Sequence, residues 1–249
     1  MKILGIIPAR WASTRFPGKP LVQINGKSMI RRVYEQASRC IGLNAVIVAT
    51  DDQRIADEVK SFGGLFVMTS STHPSGTDRC LEALENCGRA FDAVVNIQGD
   101  EPYVDPEQIQ QLANTISKPG SQIATLVCPI QDAADLFNPN VVKAVVGSNN
   151  RALYFSRQAV PYLRNIAQEQ WLTQHTFYRH IGMYAYTTFT LRSIGQLEVS
   201  SLERAEMLEQ LRWLENGFNI EVAIVDKAST GIDTPEDVDK LRNFFDKSP

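Results

Sequence analysis

Apolar residues along this chain fall into short unbroken runs separated by stretches in which they recur every three or four positions. The first pattern reads as buried strand and the second as amphipathic helix. Runs at 3–8, 45–50, 65–68, 93–97 and 123–127 alternate with helical stretches at 52–62, 77–87 and 106–117. A further helix opens after Ser28, a good N-cap residue. Strands without polar alternation are covered on both faces, and strands joined through helices run parallel. The rhythm therefore predicts an α/β fold, a doubly wound and mostly parallel sheet of Rossmann-like character. In such sheets ligands sit beyond the carboxyl ends of the strands.

Past about residue 130 the rhythm changes. Segments 141–147 and 151–155 predict a hairpin turning at Ser148-Asn149-Asn150. A strand over 180–186, a helix over 202–215, a strand over 220–225 and a helix over 235–245 complete the chain. The expectation is one domain over 1–249, with an insertion at about 130–200 acting as a lid and a subunit contact. Period two over 180–186 places His180, Gly182, Tyr184 and Tyr186 on one face, as a polar wall, and Ile181, Met183 and Ala185 on the other, toward the core. On a continuous helix Glu209 falls in an apolar stripe with Leu202, Ala205 and Trp213, where a carboxylate needs a specific partner.

Composition narrows the function. Hydrophobic content of 43% and charged content of 21% are ordinary for a soluble protein. No apolar run approaches the roughly 20 residues of a membrane span. The opening MKILGIIPAR reads as a strand and not as a secretion signal, which leads to the expectation of a cytoplasmic protein without membrane insertion. Cys40, Cys80, Cys87 and Cys128 are dispersed, with no C-x-x-C pair, which argues against a zinc site or a disulfide framework. A net charge of −3 argues against nucleic acid as a partner. The first 40 residues nevertheless carry eight basic groups against one acid, and the remainder 17 against 27. Arg31, Arg32 and Arg39 read as a solvated helix face, but a positive field there suits a small polyanion such as a nucleoside triphosphate.

The polar motifs fall where the predicted strands end. Ala9-Arg10-Trp11-Ala12-Ser13-Thr14-Arg15-Phe16-Pro17-Gly18-Lys19-Pro20 follows the first strand. Its backbone N–H groups can turn toward phosphate oxygens, with Arg10 as a fork and Lys19 as a point charge. It is not a Walker loop, because Ser13 and Pro20 stand at required positions. His73-Pro74-Ser75-Gly76-Thr77-Asp78-Arg79 opens a helix, with Thr77 a plausible N-cap. Asn96-Ile97-Gln98-Gly99-Asp100-Glu101-Pro102 ends a strand, and Asp100 there is a natural ligand for a hard cation. In Gly231-Ile232-Asp233-Thr234-Pro235-Glu236-Asp237, capping accounts for Thr234 and Pro235 but not for Asp233.

These segments, with Phe155-Ser156-Arg157, His180-Ile181-Gly182-Met183-Tyr184 and Leu208-Glu209-Gln210-Leu211-Arg212, resemble the ordered signatures of the 3-deoxy-manno-octulosonate (KDO) cytidylyltransferases. The resemblance covers essentially the whole chain. It implies transfer of CMP from CTP to KDO for lipopolysaccharide biosynthesis, with Mg²⁺ as the only metal and a homodimeric assembly. It places Ala9, Arg10, Ser13 and Lys19 at the CTP phosphates, and Ser75 and Arg79 at cytosine. Gln98, Arg157, His180, Tyr184, Glu209 and Gln210 fall to the sugar acid, and Asp100 and Asp233 to the metal. Arg10, Lys19, Asp100 and Asp233 form the catalytic set. A CMP-sialic acid synthetase and a non-catalytic nucleotide sensor are the rival readings, and a GT-A glycosyltransferase a more distant one.

Overall fold

The computed structural model describes residues 1–12, 16–228, 231–232 and 234–238. The chain divides into two compact units, Met1–Gln110 with Ser229–Pro249, and Gln111–Ala228.

The strands of the first unit are β1 (Ile3–Ala9), the short β2 (Gln23–Ile24) and β3 (Lys27–Ser28), β4 (Ala45–Thr50), β5 (Phe66–Met68) and β6 (Ala93–Asn96). Four of them form a parallel array in the order β6-β1-β4-β5, in register so that Ile6 lies opposite both Ile47 and Asn96. Ile6, Ile7, Val48, Ala49, Val94 and Val95 are wholly buried. Neighbours along a strand face opposite ways, so unbroken burial means both faces are covered. Each buried Ile or Val contributes about 1.5–3 kcal/mol.

Three helices return the chain between these strands: α1 (Met29–Ala37), α2 (Gln53–Ser61) and α3 (Gly76–Asn86). Ser28, Asp52 and Ser75 cap them, each side chain accepting a backbone N–H of the first turn. The cap of α3 is Ser75 and not the expected Thr77. Ser75 has the extended backbone of an N-cap, whereas Thr77 lies one residue inside the helix with its side chain buried. Since the strands are parallel, the chain leaves β1, β4, β5 and β6 at one edge, and Arg10, Asp51, Thr69 and Gln98 follow there.

Helix α4 (Pro106–Ile116) carries the chain into the second unit. Its strands are β7 (Ile123–Pro129), β8 (Lys143–Val146), β9 (Ala152–Ser156), β10 (Tyr178–Thr187) and β11 (Ile220–Ile224), with helices α5 (Ala133–Phe137), α6 (Trp171–Gln174), α7 (Thr188–Ile194), α8 (Ser201–Glu206) and α9 (Gln210–Glu215). The order is β11-β7-β10-β8-β9, and only β11 runs parallel to its neighbour. The predicted hairpin is β8–β9, closed by Gly147 N–H donating to Arg151 O at 2.8 Å, with Asn150 in the left-handed region at φ 57°. Ile130, Leu136, Trp171 and Phe177 form a separate core beneath α5 and α6. Among the described residues no helix is long and apolar enough to cross a membrane.

Two local features depart from the sequence pattern. Pairing of β10 with β7 slips between Ile181 and Tyr184. A bulge of this kind resets strict alternation. Beyond the slip Met183, Tyr184, Ala185 and Tyr186 are all buried, so both faces of the strand are covered there and the expected polar wall does not extend past Gly182. The single helix expected over 202–215 is broken as well. Met207 adopts a left-handed conformation (φ 53°) between α8 and α9, which lifts Glu209 out of the supposed stripe and sets it at the head of α9.

Candidate active site

In the first unit the loop after β1 is stapled onto itself. Gly18 N–H donates to Trp11 O at 3.1 Å. Gly18 has φ +72°, and a Cβ there would lie 2.9 Å from the Trp11 ring, so only glycine lets the loop close on the indole. The guanidinium of Arg54 covers that ring 3.3 Å from its centroid. Asp52 in turn holds Arg54 through bonds of 2.9 and 2.7 Å, and this pairing keeps the Asp52 carboxyl below its usual range. Arg10 is exposed, Ala9 is buried at the end of β1, and Ser13 lies outside the described residues.

The staple returns the chain to Lys19, whose ammonium donates to Asp100 Oδ2 at 2.7 Å and to Ile232 O at 2.8 Å. Ile232 N–H donates to Asp100 O at 2.9 Å. Three segments far apart in sequence therefore meet at Asp100. Gly99 permits the approach, since a Cβ there would stand 2.6 Å from Pro8 O. Gln98 is half-buried on the same turn. Asp233 lies outside the described residues.

The second signature is tied into the turns around it. Ser75 Oγ donates to Asp78 Oδ2 at 2.7 Å while capping α3. Arg79 is 3% exposed and donates to Thr69 Oγ1 at 2.6 Å and Asp51 Oδ2 at 2.8 Å. It braces the turns after β4 and β5 against α3. His73 bonds Glu82, and this contact holds the Glu82 carboxyl below its usual value.

In the second unit His180 Nε2 lies 3.0 Å from Thr125 Oγ1, and its ring sits between Phe155 and Tyr184. Burial pushes its pKa down to about 3, so the imidazole is neutral at physiological pH. The Tyr184 hydroxyl is buried without a hydrogen bond of normal geometry, Thr125 offering only a weaker polar contact. Burial, then the charge of Glu209, raise its phenol well above the ordinary value, so it stays a neutral donor. Gln210 is buried and Glu209 half-buried at the start of α9.

Arg157 is engaged by main-chain oxygens. Its guanidinium, assigned to an acceptor carboxylate, donates to Glu206 O at 2.7 Å, Pro139 O at 3.1 Å and Met207 O at 3.4 Å. The reason is the break after α8: a helix ending there leaves carbonyls without partners, and a cation at that end satisfies them. Behind it stands Lys143, fully buried, whose ammonium donates to Asn138 O, Val141 O and Arg157 O at 2.9, 2.6 and 2.6 Å. Glu206 completes the knot by accepting from Ser156 Oγ at 2.7 Å and Arg157 N–H at 2.9 Å.

Sequence reasoning missed Trp11, Asp51, Arg54, Lys143 and Glu206. Asp51 carried a signal, as an acidic residue just past a parallel strand. Lys143 carried none, because a lysine in a predicted strand reads as solvent-facing.

A family model described as cytidylyltransferase matches residues 4–224, which fixes the class. At the level of fold, the chain resembles a 4-diphosphocytidyl-2C-methyl-D-erythritol synthase from Anaerococcus prevotii, with a TM-score of 0.64 and 14% identity over 99% of this chain and 97% of that one. It is much nearer to a solved CMP:2-keto-3-deoxy-manno-octonic acid synthetase complexed with CTP: TM-score 0.93, 40% identity, and 100% of both chains covered. A 3-deoxy-manno-octulosonate cytidylyltransferase from Parabacteroides distasonis is 56% identical over 249 residues, 98% of each protein. The chain belongs to the 3-deoxy-manno-octulosonate cytidylyltransferase family.

Proposed function

We propose that this chain transfers CMP from CTP to 3-deoxy-D-manno-octulosonate and releases pyrophosphate, as a Mg²⁺-dependent cytoplasmic homodimer. The observation that carries the reading is the meeting of Lys19, Asp100 and the Ile232 backbone beyond the carboxyl ends of a parallel array. A cation for phosphate oxygens and a hard carboxylate, side by side, are what a metal–triphosphate complex needs.

The fit to Mg²⁺ rests on Asp100. Among the described residues no group of three or more His, Cys, Asp and Glu could hold a metal ion, and Asp233 is not one of those residues. Yet the Lys19 ammonium already sits between two oxygens there, so the position draws a cation. Mg²⁺ commonly takes one or two carboxylates and leaves its other positions to water and substrate phosphates. Asp100, with Asp233, would hold it, and the ion would supply charge neutralisation at the phosphates.

The acceptor's anomeric hydroxyl loses its proton to solvent and its oxygen bonds to the α-phosphorus, as the bond from that phosphorus to the oxygen bridging to the β-phosphate breaks in line and pyrophosphate leaves. Arg10 and Lys19 offset the charge gathering on the departing pyrophosphate. Ala9, at the end of β1, and Ser13 are assigned to the same phosphates. Gln98, His180, Tyr184, Glu209 and Gln210 orient the sugar, with His180 and Tyr184 acting as uncharged hydrogen-bonding groups. In this reading Arg79 and Arg157 act as braces, Arg79 for the turns near the nucleotide and Arg157 for the joint carrying Glu209 and Gln210. Pyrophosphate release with CTP, Mg²⁺ and a panel of sugar acids tests the whole. Turnover is expected with the eight-carbon KDO. Equal turnover with a nine-carbon sialic acid, or none with KDO, would overturn it.

A further inference from the structure

Two of the cation–carboxylate pairs described at the strand ends of the first unit differ in access. Arg79–Asp51 is sealed, with side chains 4% and 11% exposed. Lys19–Asp100 is open, at 15% and 32%. The sealed pair is a brace. The open one joins a group assigned to phosphate and a group assigned to metal, and it occupies one of the two oxygens that carboxylate could offer a metal.

We infer that Lys19 is a built-in placeholder for the metal at Asp100, and that the nucleotide's phosphates release the position by drawing the lysine away. This rests on the reading of Asp100 as a metal ligand. The Lys19 ammonium lies 2.7 Å from Asp100 Oδ2 and 2.8 Å from Ile232 O. Mg²⁺ binds a carboxylate oxygen at about 2.0–2.1 Å. An ammonium and a divalent ion on the one carboxylate would stand within several ångströms of each other, like charges at close range and only partly screened. The two occupants therefore compete.

The triphosphate resolves the conflict. Its oxygens offer Lys19 a more highly charged partner, and the four-carbon stem lets the ammonium move without moving the loop that Trp11 and Gly18 hold closed. Asp100 is then free for a cation. Metal and nucleotide are thereby coupled, and coupling in binding is reciprocal: each favours the other by the same factor. Free metal alone gains little hold on the protein.

The test reads metal binding without turnover. Mn²⁺ is titrated into nucleotide-free protein, and bound ion is followed by electron paramagnetic resonance. Wild type should bind weakly. Lys19→Met should bind roughly tenfold tighter or more, since it removes a competing charge at contact distance. Lys19→Gln, which keeps a donor for Ile232 O, should do the same and guards against a folding defect in the first variant. Adding Asp100→Asn to either should abolish the gain. Equal affinity in wild type and both variants, whether weak or tight, would overturn the inference. A gain surviving Asp100→Asn would overturn it as well. If wild type shows Mg²⁺-dependent pyrophosphate release while the Lys19 variants bind no better, the placeholder idea fails and the proposed function stands. If wild type fails to turn over CTP and KDO, the function itself fails.

Discussion

Lys19 and Lys143 are both held by main-chain oxygens, but they serve opposite ends. In the first unit Lys19 shares its ammonium with a reachable carboxylate, on a loop leaving a parallel strand. In the second unit Lys143 is fully buried on three carbonyls, with no carboxylate among its hydrogen-bond acceptors. Burial lowers its pKa from the ordinary lysine value, partly opposed by the charge of Glu206. One lysine is within reach of a ligand; the other is sealed on main-chain oxygens that it holds together.

Substitutions should separate the two roles. The largest effect belongs to Asp100→Asn, which should lower kcat by roughly a factor of 10³. Thermal unfolding should barely move, because the lost ion pair is partly exposed. Near-normal turnover at saturating Mg²⁺ would remove Asp100 from the reaction. Lys143→Met should do the reverse, costing about 3 kcal/mol in urea unfolding by leaving three buried carbonyls unpaired. A loss below about 0.5 kcal/mol would mean those carbonyls find water instead.

His180 sets a pH dependence in the second unit. Its folded pKa of about 3 lies below the unfolded value of 6.5. Above 6.5 neither state is protonated, and the contribution is constant. As pH falls below 6.5 the unfolded chain takes up a proton that the folded ring refuses. Stability then declines by up to about 1.4 kcal/mol per pH unit until the folded pKa is reached. His180→Gln should flatten that limb of the stability profile, and an imidazole seen by NMR to titrate near 6.5 in the folded protein would contradict the assignment. The smallest change is expected from Trp11→Ala. Loosening the loop that presents Lys19 should raise KM for CTP about threefold, a cost near 0.7 kcal/mol, with kcat nearly unchanged. An unchanged KM would show that the staple does not govern the lysine.

The parallel half of the fold was legible because its signals are local. Unbroken apolar runs at Ile3–Ala9 and Ala45–Thr50 have one reading, and chemistry at their carboxyl ends follows from topology. Lys19 and Asp100 could be named from motifs for that reason. The second unit resisted, since its decisive features depend on tertiary packing. Nothing local to Leu208-Glu209-Gln210 announces that Met207 will turn left-handed, and Arg157 reads as a free fork until the carbonyls it caps are seen. The slip at Ile181–Tyr184 likewise involves Thr125, more than fifty residues away in sequence.

That threonine has one proton to give. It lies 2.9 Å from Met183 O and 3.3 Å from Ile181 O, and either bond consumes its only O–H. When that proton goes to a carbonyl, the contact with His180 at 3.0 Å runs the other way, with Nε2 carrying the hydrogen and the hydroxyl oxygen receiving it. A neutral imidazole has a single N–H, so Nδ1 is left with a bare lone pair. In that tautomer a molecule engaging His180 through Nδ1 brings its own hydrogen, which suits an alcohol and turns away an ionised acid.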